Sequence, residues 1–261
     1  MITSKAGKSL KRLDQSRFDH EDYLQKGSLK RMAGYGNQYR EKFLTESINN
    51  REVLEKDWYE GLHFFFTKSF YRGRRDEISD VFRERALQVM VQNNLRDNLP
   101  GFDGDSFDKL LVEGKVNNGV DRKMVCQTIE FISNLPKNNL ITYALSAARN
   151  NHVPDLFSEL TSIYGIGDKL AAFFLRDLAI IYGLEDKIAG KDLIYFQPVD
   201  TWVRQVASAI KIADEKAPAE TIKKAIIEAS QNSRVSSLLV NAGAWYLGSH
   251  SFKILVSELE V

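Results

Sequence analysis

Cysteine, proline and histidine are scarce in this chain of 261 residues, with one, five and four copies, and the charges all but cancel: 36 Lys+Arg against 35 Asp+Glu, net +1. Each shortage excludes something. A lone Cys126 cannot form an internal disulfide, a cysteine-rich zinc site or a four-cysteine iron–sulfur cluster, which points to a reducing compartment. His20, His63, His152 and His250 are scattered, with no HxxxH or HExxH pair to hold a metal, and His63 inside GLHFFF reads as a satisfied core residue. No apolar run approaches the roughly 18 residues of a membrane span. The start, MITSKAGKSLKRLDQ, lacks the hydrophobic stretch of a secretory signal. The expected setting is the cytoplasm, or the nucleus in a eukaryote, with no membrane partner. The net charge of +1 leans against a protein that grips nucleic acid by bulk electrostatics.

What is present is helical periodicity. With 43% hydrophobic residues the chain can fill a core. The first 50 residues are polar, carry Lys5, Lys8, Lys11 and Arg12 ahead of the first acid, Asp14, and hold the glycines of AGYGN at 33–37; they read as an irregular, partly ordered arm. From Arg51 the character changes. REVLEKDWYEGLHFFFTKSF spaces Val53, Leu54, Trp58, Leu62, Phe65, Phe66 and Phe70 close to a helical period and predicts one amphipathic helix. Similar patterns follow at 77–92, 120–135, 138–151 and 153–163, and three more past residue 200, separated by short Asn/Gly/Pro punctuation. LIYFQ (193–197) is the one strand candidate, too short and solitary to build a sheet. There is no fixed-period repeat and no low-complexity tract. The expected fold is all-α, with residues 51–261 as a single helical domain.

Several motifs fail on inspection. GIGDKL (165–170) begins like a dinucleotide fingerprint, but Leu170 takes the third glycine position and no strand precedes it. Asp103-Gly104-Asp105 begins like a calcium loop, yet Phe107 falls at the next ligand position. No GxSxG elbow supports a serine hydrolase.

LTSIYGIGDKLAAFFLRDLAIIYG (160–183) is the informative stretch. Two helices are joined by Tyr164-Gly165-Ile166-Gly167, and glycines at alternate positions permit backbone dihedrals and close approaches denied to other residues. The helix that begins after Gly167 would point its N–H groups and positive end at the turn, a ready phosphate site. LAAFFLRDLAII is apolar almost all round, interrupted only by Arg176 and Asp177, so it should run through the interior. Lys169 would sit in its first turn. Downstream, Asp200 follows Pro198-Val199 and precedes TWVRQVA, a good N-cap worth about 1 kcal/mol whatever its function.

The segment resembles the helix-hairpin-helix consensus LxxIxGIGxKxA, read here as Leu160, Ile163, Gly165, Ile166, Gly167, Lys169 and Ala171. PVDTWVRQV (198–206) resembles a second hallmark, a Pro/Val-Asp followed by Thr and a helix. Together they are similar to the helix-hairpin-helix DNA glycosylase superfamily, over about 50 of the 261 residues. The 31 positions from Lys169 to Asp200 exceed the short linker of endonuclease III-like members and are closer to that of the archaeal 8-oxoguanine (GO) glycosylases. The four C-terminal cysteines of the cluster-bearing relatives are missing.

The resemblance implies a two-lobed helical fold, with the hairpin at 153–182 and the aspartate loop at 197–201, and a base flipped out of the duplex into a cleft. It implies base-excision repair by a glycosylase with AP-lyase activity, 8-oxoguanine being the favoured lesion; the alternatives are a monofunctional glycosylase for another damaged base and a non-catalytic helix-hairpin-helix protein that only binds DNA. Lys169 would be the Schiff-base nucleophile. An ordinary lysine is unprotonated in only about 0.04% of molecules at pH 7; desolvation against the apolar helix and the positive helix end would both disfavour its ammonium. Asp200 would stabilise positive charge developing on the sugar and assist proton transfers. Gly165, Ile166 and Gly167 would clamp the phosphate backbone. TKSFYRGRRDE (67–77) would supply Tyr71, Arg72, Arg74 and Arg75 as strand contacts and Phe70 as a stacking ring. The other reading of that stretch puts Phe70 in the core and pairs the arginines with Asp76, Glu77 and Asp80. Gln92, Asn93 and Asn94 are an alternative wedge. Trp245 and Tyr246 are either pocket aromatics or packing for the last helix. No cofactor and no metal are implied, although a monovalent cation at the hairpin carbonyls is compatible with the motif. The implied partner is damaged double-stranded DNA, with single strands as a second form, bound by a monomer in the cytoplasm at the nucleoid.

Overall fold

The computed structural model describes residues 26–71 and 76–259, with side chains to residue 251, and every regular element among them is helical. In chain order they are α1 (26–39), a π-helical turn (Arg40–Leu44), α2 (Thr45–Asn49), α3 (Arg51–Lys56), α4 (Trp58–Ser69), α5 (Asp76–Gln92), α6 (Gly104–Glu113), α7 (Gly119–Ser133), α8 (Leu140–Arg149), α9 (Val153–Ser162), α10 (Asp168–Tyr182), α11 (Thr201–Ala209), α12 (Ala219–Asn232) and α13 (Ser237–Leu259). Short 3₁₀ segments join several of them. The chain divides into two compact units, residues 42–198 and residues 1–41 with 199–261.

Three expectations about elements are corrected. Residues 26–49 are helical rather than an irregular arm. The predicted helix at 51–70 is broken at Asp57, whose extended backbone and side chain, accepting Tyr59 N–H at 3.0 Å, start a new helix. LIYFQ lies in a 3₁₀ segment, Gly190–Phe196, rather than a strand. The failed calcium loop opens α6: Asp103 accepts Asp105 N–H at 3.2 Å as an N-cap.

In the unit of residues 42–198, α10 is the central helix, packed by α4, α9 and the 190–196 segment. Leu170, Ala171, Phe174, Leu175 and Leu178 are buried along it. Phe174 meets Phe65 edge-on at 5.1 Å and Phe64 at 5.9 Å. The two polar residues of α10 are buried as well. Asp177 accepts Nε–H and an Nη2–H of Arg176 at 3.0 and 2.8 Å, and its other oxygen pairs with Lys68 Nζ at 2.8 Å. Both cations also lie over the Phe173 ring, Arg176 at 4.6 Å and Lys68 at 5.2 Å from its centroid. Charges removed from water are tolerable only when paired and hydrogen-bonded in this way. The cluster therefore ties α4 to α10 in one register.

The other unit combines α1 with α11, α12 and α13 around Leu29, Met32, Val203, Val206, Ile222, Ile226, Val240 and Ala244. The backbones of α1 and α13 touch. A Cβ on Gly243 would lie 1.8 Å from Met32 carbonyl oxygen, and one on Gly36 would lie 2.1 Å from that of Leu239. Only glycine admits such a crossing.

Candidate nucleic-acid interface

Two helices, α9 and α10, flank the glycine turn. The last turn of α9 ends at Ile163, whose side chain is buried, and Ile166 N–H closes a tight turn on Ile163 C=O at 3.0 Å. Gly165 has φ +86, a left-handed backbone that favours glycine. Ile166, 3% exposed, anchors the turn in the core, so its side chain is an anchor and only its backbone can face a ligand. Gly167 is different from Gly165. Its φ of −99 and ψ of 177 are open to any residue. A Cβ there would meet nothing within 4 Å. The fold does not require glycine at 167, and what glycine supplies there is unobstructed access to the backbone.

Gly167 is the N-cap of α10, and no side chain caps that helix. The N–H groups of Asp168 and Lys169 are among those an α-helix leaves without an internal acceptor. Both side chains are exposed, one charge of each sign. The expectation that Lys169 is desolvated against the apolar helix is corrected: the buried face of α10 begins at Leu170, and Lys169, in the first turn, is exposed to solvent. Its amine can be desolvated only by something bound over it. Two residues of α7 that the sequence did not single out support the turn. Gln127 Oε1 accepts Tyr164 N–H at 2.7 Å, and Lys123 Nζ lies 4.2 Å from the centroid of the exposed Tyr164 ring. The ammonium stands beside the hairpin without entering it.

Asp200 belongs to the other unit. It is the N-cap of α11, its carboxylate accepting Val203 N–H at 2.9 Å, which fixes the direction of the side chain while leaving it half-exposed. The capping role is therefore present in the fold.

The remaining candidates separate. Phe70 is fully buried and packs edge-on against Phe66 at 5.2 Å, so it is core and does not stack a base. Tyr71 is half-buried; its hydroxyl donates to Asp80 at 2.6 Å and accepts from Arg83 at 3.3 Å. Burial first, then the Asp80 hydrogen bond, push that phenol up to about 12, so Tyr71 serves as a neutral brace between α4 and α5. Arg72, Arg74 and Arg75 lie outside the described residues. Trp245 is half-buried against the Tyr39 ring at 5.6 Å, and Tyr246, 8% exposed, stacks on His250 at 4.8 Å, which makes both packing residues of α13. Gln92 lines an open groove of about 520 Å³ with Tyr59 and His63, so His63 is half-buried at a rim rather than a core residue. Asn93 and Asn94 are exposed beside it.

Among the described residues no three His, Cys, Asp or Glu side chains are grouped to hold a metal. No helix among them is long and apolar enough to cross a membrane.

No protein family matches the chain, and no solved structure does. Over 82 residues it is 37% identical to an uncharacterized protein of Methanocaldococcus jannaschii. That stretch is 31% of this chain and 19% of the relative, so the chain spans less than a fifth of that protein.

Proposed function

We propose that the protein is a DNA base-excision glycosylase with AP-lyase activity, acting on an oxidised base, 8-oxoguanine first. One observation carries the reading: an uncapped helix N-terminus behind a glycine turn, where Gly167 is required by no contact of the fold and leaves the backbone open. Phosphate oxygens accept from such N–H groups without any formal charge on the protein. Lys169, one residue into that helix, then presents its amine beside the bound strand. DNA over the turn would remove it from water, which the free chain does not.

In the proposed reaction Lys169 Nζ bonds to C1′ as the C1′–N bond to the base breaks, and the base leaves with a proton. O4′ then departs from C1′ as the imine forms, and loss of a C2′ proton expels the 3′ phosphate. The resemblance gives Asp200 the part of stabilising charge on the sugar and shuttling the protons. Borohydride reduces the imine to a stable amine, so the test is covalent trapping on a panel of lesion and abasic duplexes. Wild type should give an adduct on 8-oxoguanine or abasic DNA, and Lys169→Ala none. No adduct on any duplex overturns the lyase.

The exposure of Lys169 favours a second reading, a non-catalytic helix-hairpin-helix module that only docks on DNA. Under it, wild type binds DNA and never traps, and Lys169→Ala changes affinity alone.

A further inference from the structure

The three tryptophans, at 58, 202 and 245, are used differently. Trp58 donates its indole N–H to Arg96 C=O at 3.1 Å. Trp245 is half-buried against the core of α1 and α11–α13. Trp202 is 42% exposed, and among the described residues its N–H has no protein acceptor. It stands in the first turn of α11, two residues after Asp200. Val203 and Val206 carry the buried face of that helix, which leaves Trp202 and Gln205 on the outer one.

The exposure is built in. At Gly248 of α13 a Cβ would lie 2.7 Å from Trp202 Cβ and 3.3 Å from its Cα and Cγ. The α13 backbone thus abuts the root of the indole, at a distance only glycine permits, and fixes where the ring leaves the surface. A large apolar ring held at its base, with an unspent donor on its edge, is an amphipathic platform. Preorganised aromatics lose little side-chain entropy when something stacks on them.

We propose that Trp202 is a stacking platform for an unpaired nucleobase of the DNA strand that Asp200 faces, with the indole N–H donating to a base carbonyl or phosphate oxygen. This rests on the DNA reading above and concerns recognition rather than chemistry. Every base presents a π face, so the platform serves strand capture and is indifferent to which lesion is removed.

The test uses the full chain, a labelled oligothymidylate, and a lesion duplex for borohydride trapping. Trp202→Ala keeps the Cβ that rests on Gly248 and removes only the ring, so the fold is retained, as thermal denaturation verifies. Base–aromatic stacking implies a loss of affinity for the oligonucleotide of roughly 5- to 150-fold in Trp202→Ala. Trp202→Phe should recover most of it, and the tryptophan fluorescence quenched by the oligonucleotide in wild type should be unquenched in both variants. Trapping by Trp202→Ala should reach the wild-type rate at saturating duplex, a change in KM without one in kcat. If wild type traps but Trp202→Ala binds as tightly as wild type, the platform fails and the lyase stands. Binding that depends on Trp202 without any trapping leaves the platform and removes the lyase. A wild type that neither binds nor traps removes both, and points to an apolar protein partner for the ring.

Discussion

Asp200 carries two loads that two substitutions can separate. Its carboxylate caps α11 through Val203 N–H, and in the proposed reaction its charge acts on the sugar. Asparagine caps as well as aspartate does, whereas alanine does not cap and costs about 1 kcal/mol. Asp200→Asn should therefore melt with wild type and lose trapping, while Asp200→Ala should lose both. If Asp200→Asn traps at the wild-type rate, the residue is a cap and nothing more. Lysines divide in a similar way. Lys68, buried and paired with Asp177, holds helices together, whereas Lys169 is exposed. That division could not be read from the chain. An apolar helix interrupted by Arg176-Asp177 announces buried charge, but the partner on α4 lies more than a hundred residues earlier and no local pattern names it.

For the hairpin, the two glycines make opposite predictions. Gly165→Ala forces a side chain into φ +86 and should lower stability by about 1 kcal/mol or more. Gly167→Ala meets empty space in an ordinary conformation; the entropy gain of about 0.4–1 kcal/mol offsets alanine's poorer N-cap, so its stability should stay close to wild type. If the turn approaches DNA as closely as proposed, Gly167→Ala should nonetheless weaken duplex binding about tenfold, the range of one lost charge-assisted contact. Denaturant melts and a binding titration check the pair; unchanged affinity in Gly167→Ala removes the phosphate clamp. This hairpin was legible because all its determinants are local: a helical period on each side and glycines in the turn. The first helix was not. In residues 26–39 the glycines of AGYGN look like loop punctuation, yet one of them, Gly36, is the small surface against which Leu239 and Gly243 of α13 pack. A glycine that weakens a helix by about 1 kcal/mol in isolation is retained because a backbone two hundred positions away needs the space. The same non-local contact explains why the joining of 1–41 with 199–261 escaped a reading along the chain. The glycine turn and the Asp200 cap were legible as local geometry, whereas Gln127 and Trp202 acquire meaning only from Tyr164 and Gly248, which the fold brings to them.

At the scale of the whole molecule, the net charge of +1 is a poor guide to DNA affinity, because the proposed clamp works through backbone N–H groups and stacked rings. Each phosphate neutralised by a formal charge contributes about −0.9 to the slope of log K against log salt. One or two such contacts, Lys169 and a neighbour such as Lys123, predict roughly a 3- to 12-fold loss of duplex affinity between 50 and 200 mM salt. A protein contacting six to ten phosphates would lose about 10³-fold or more over the same range. Lys5, Lys8, Lys11 and Arg12 form a concentrated run of positive charge near the start of the sequence, and they lie outside the described residues. The titration should therefore be repeated on a chain beginning at residue 26. A steep slope that becomes shallow on removing residues 1–25 assigns the extra phosphates to that run and leaves the hairpin clamp intact. A slope that stays steep places a basic face on the helical units themselves, and a clamp built on uncharged N–H groups then no longer accounts for the affinity.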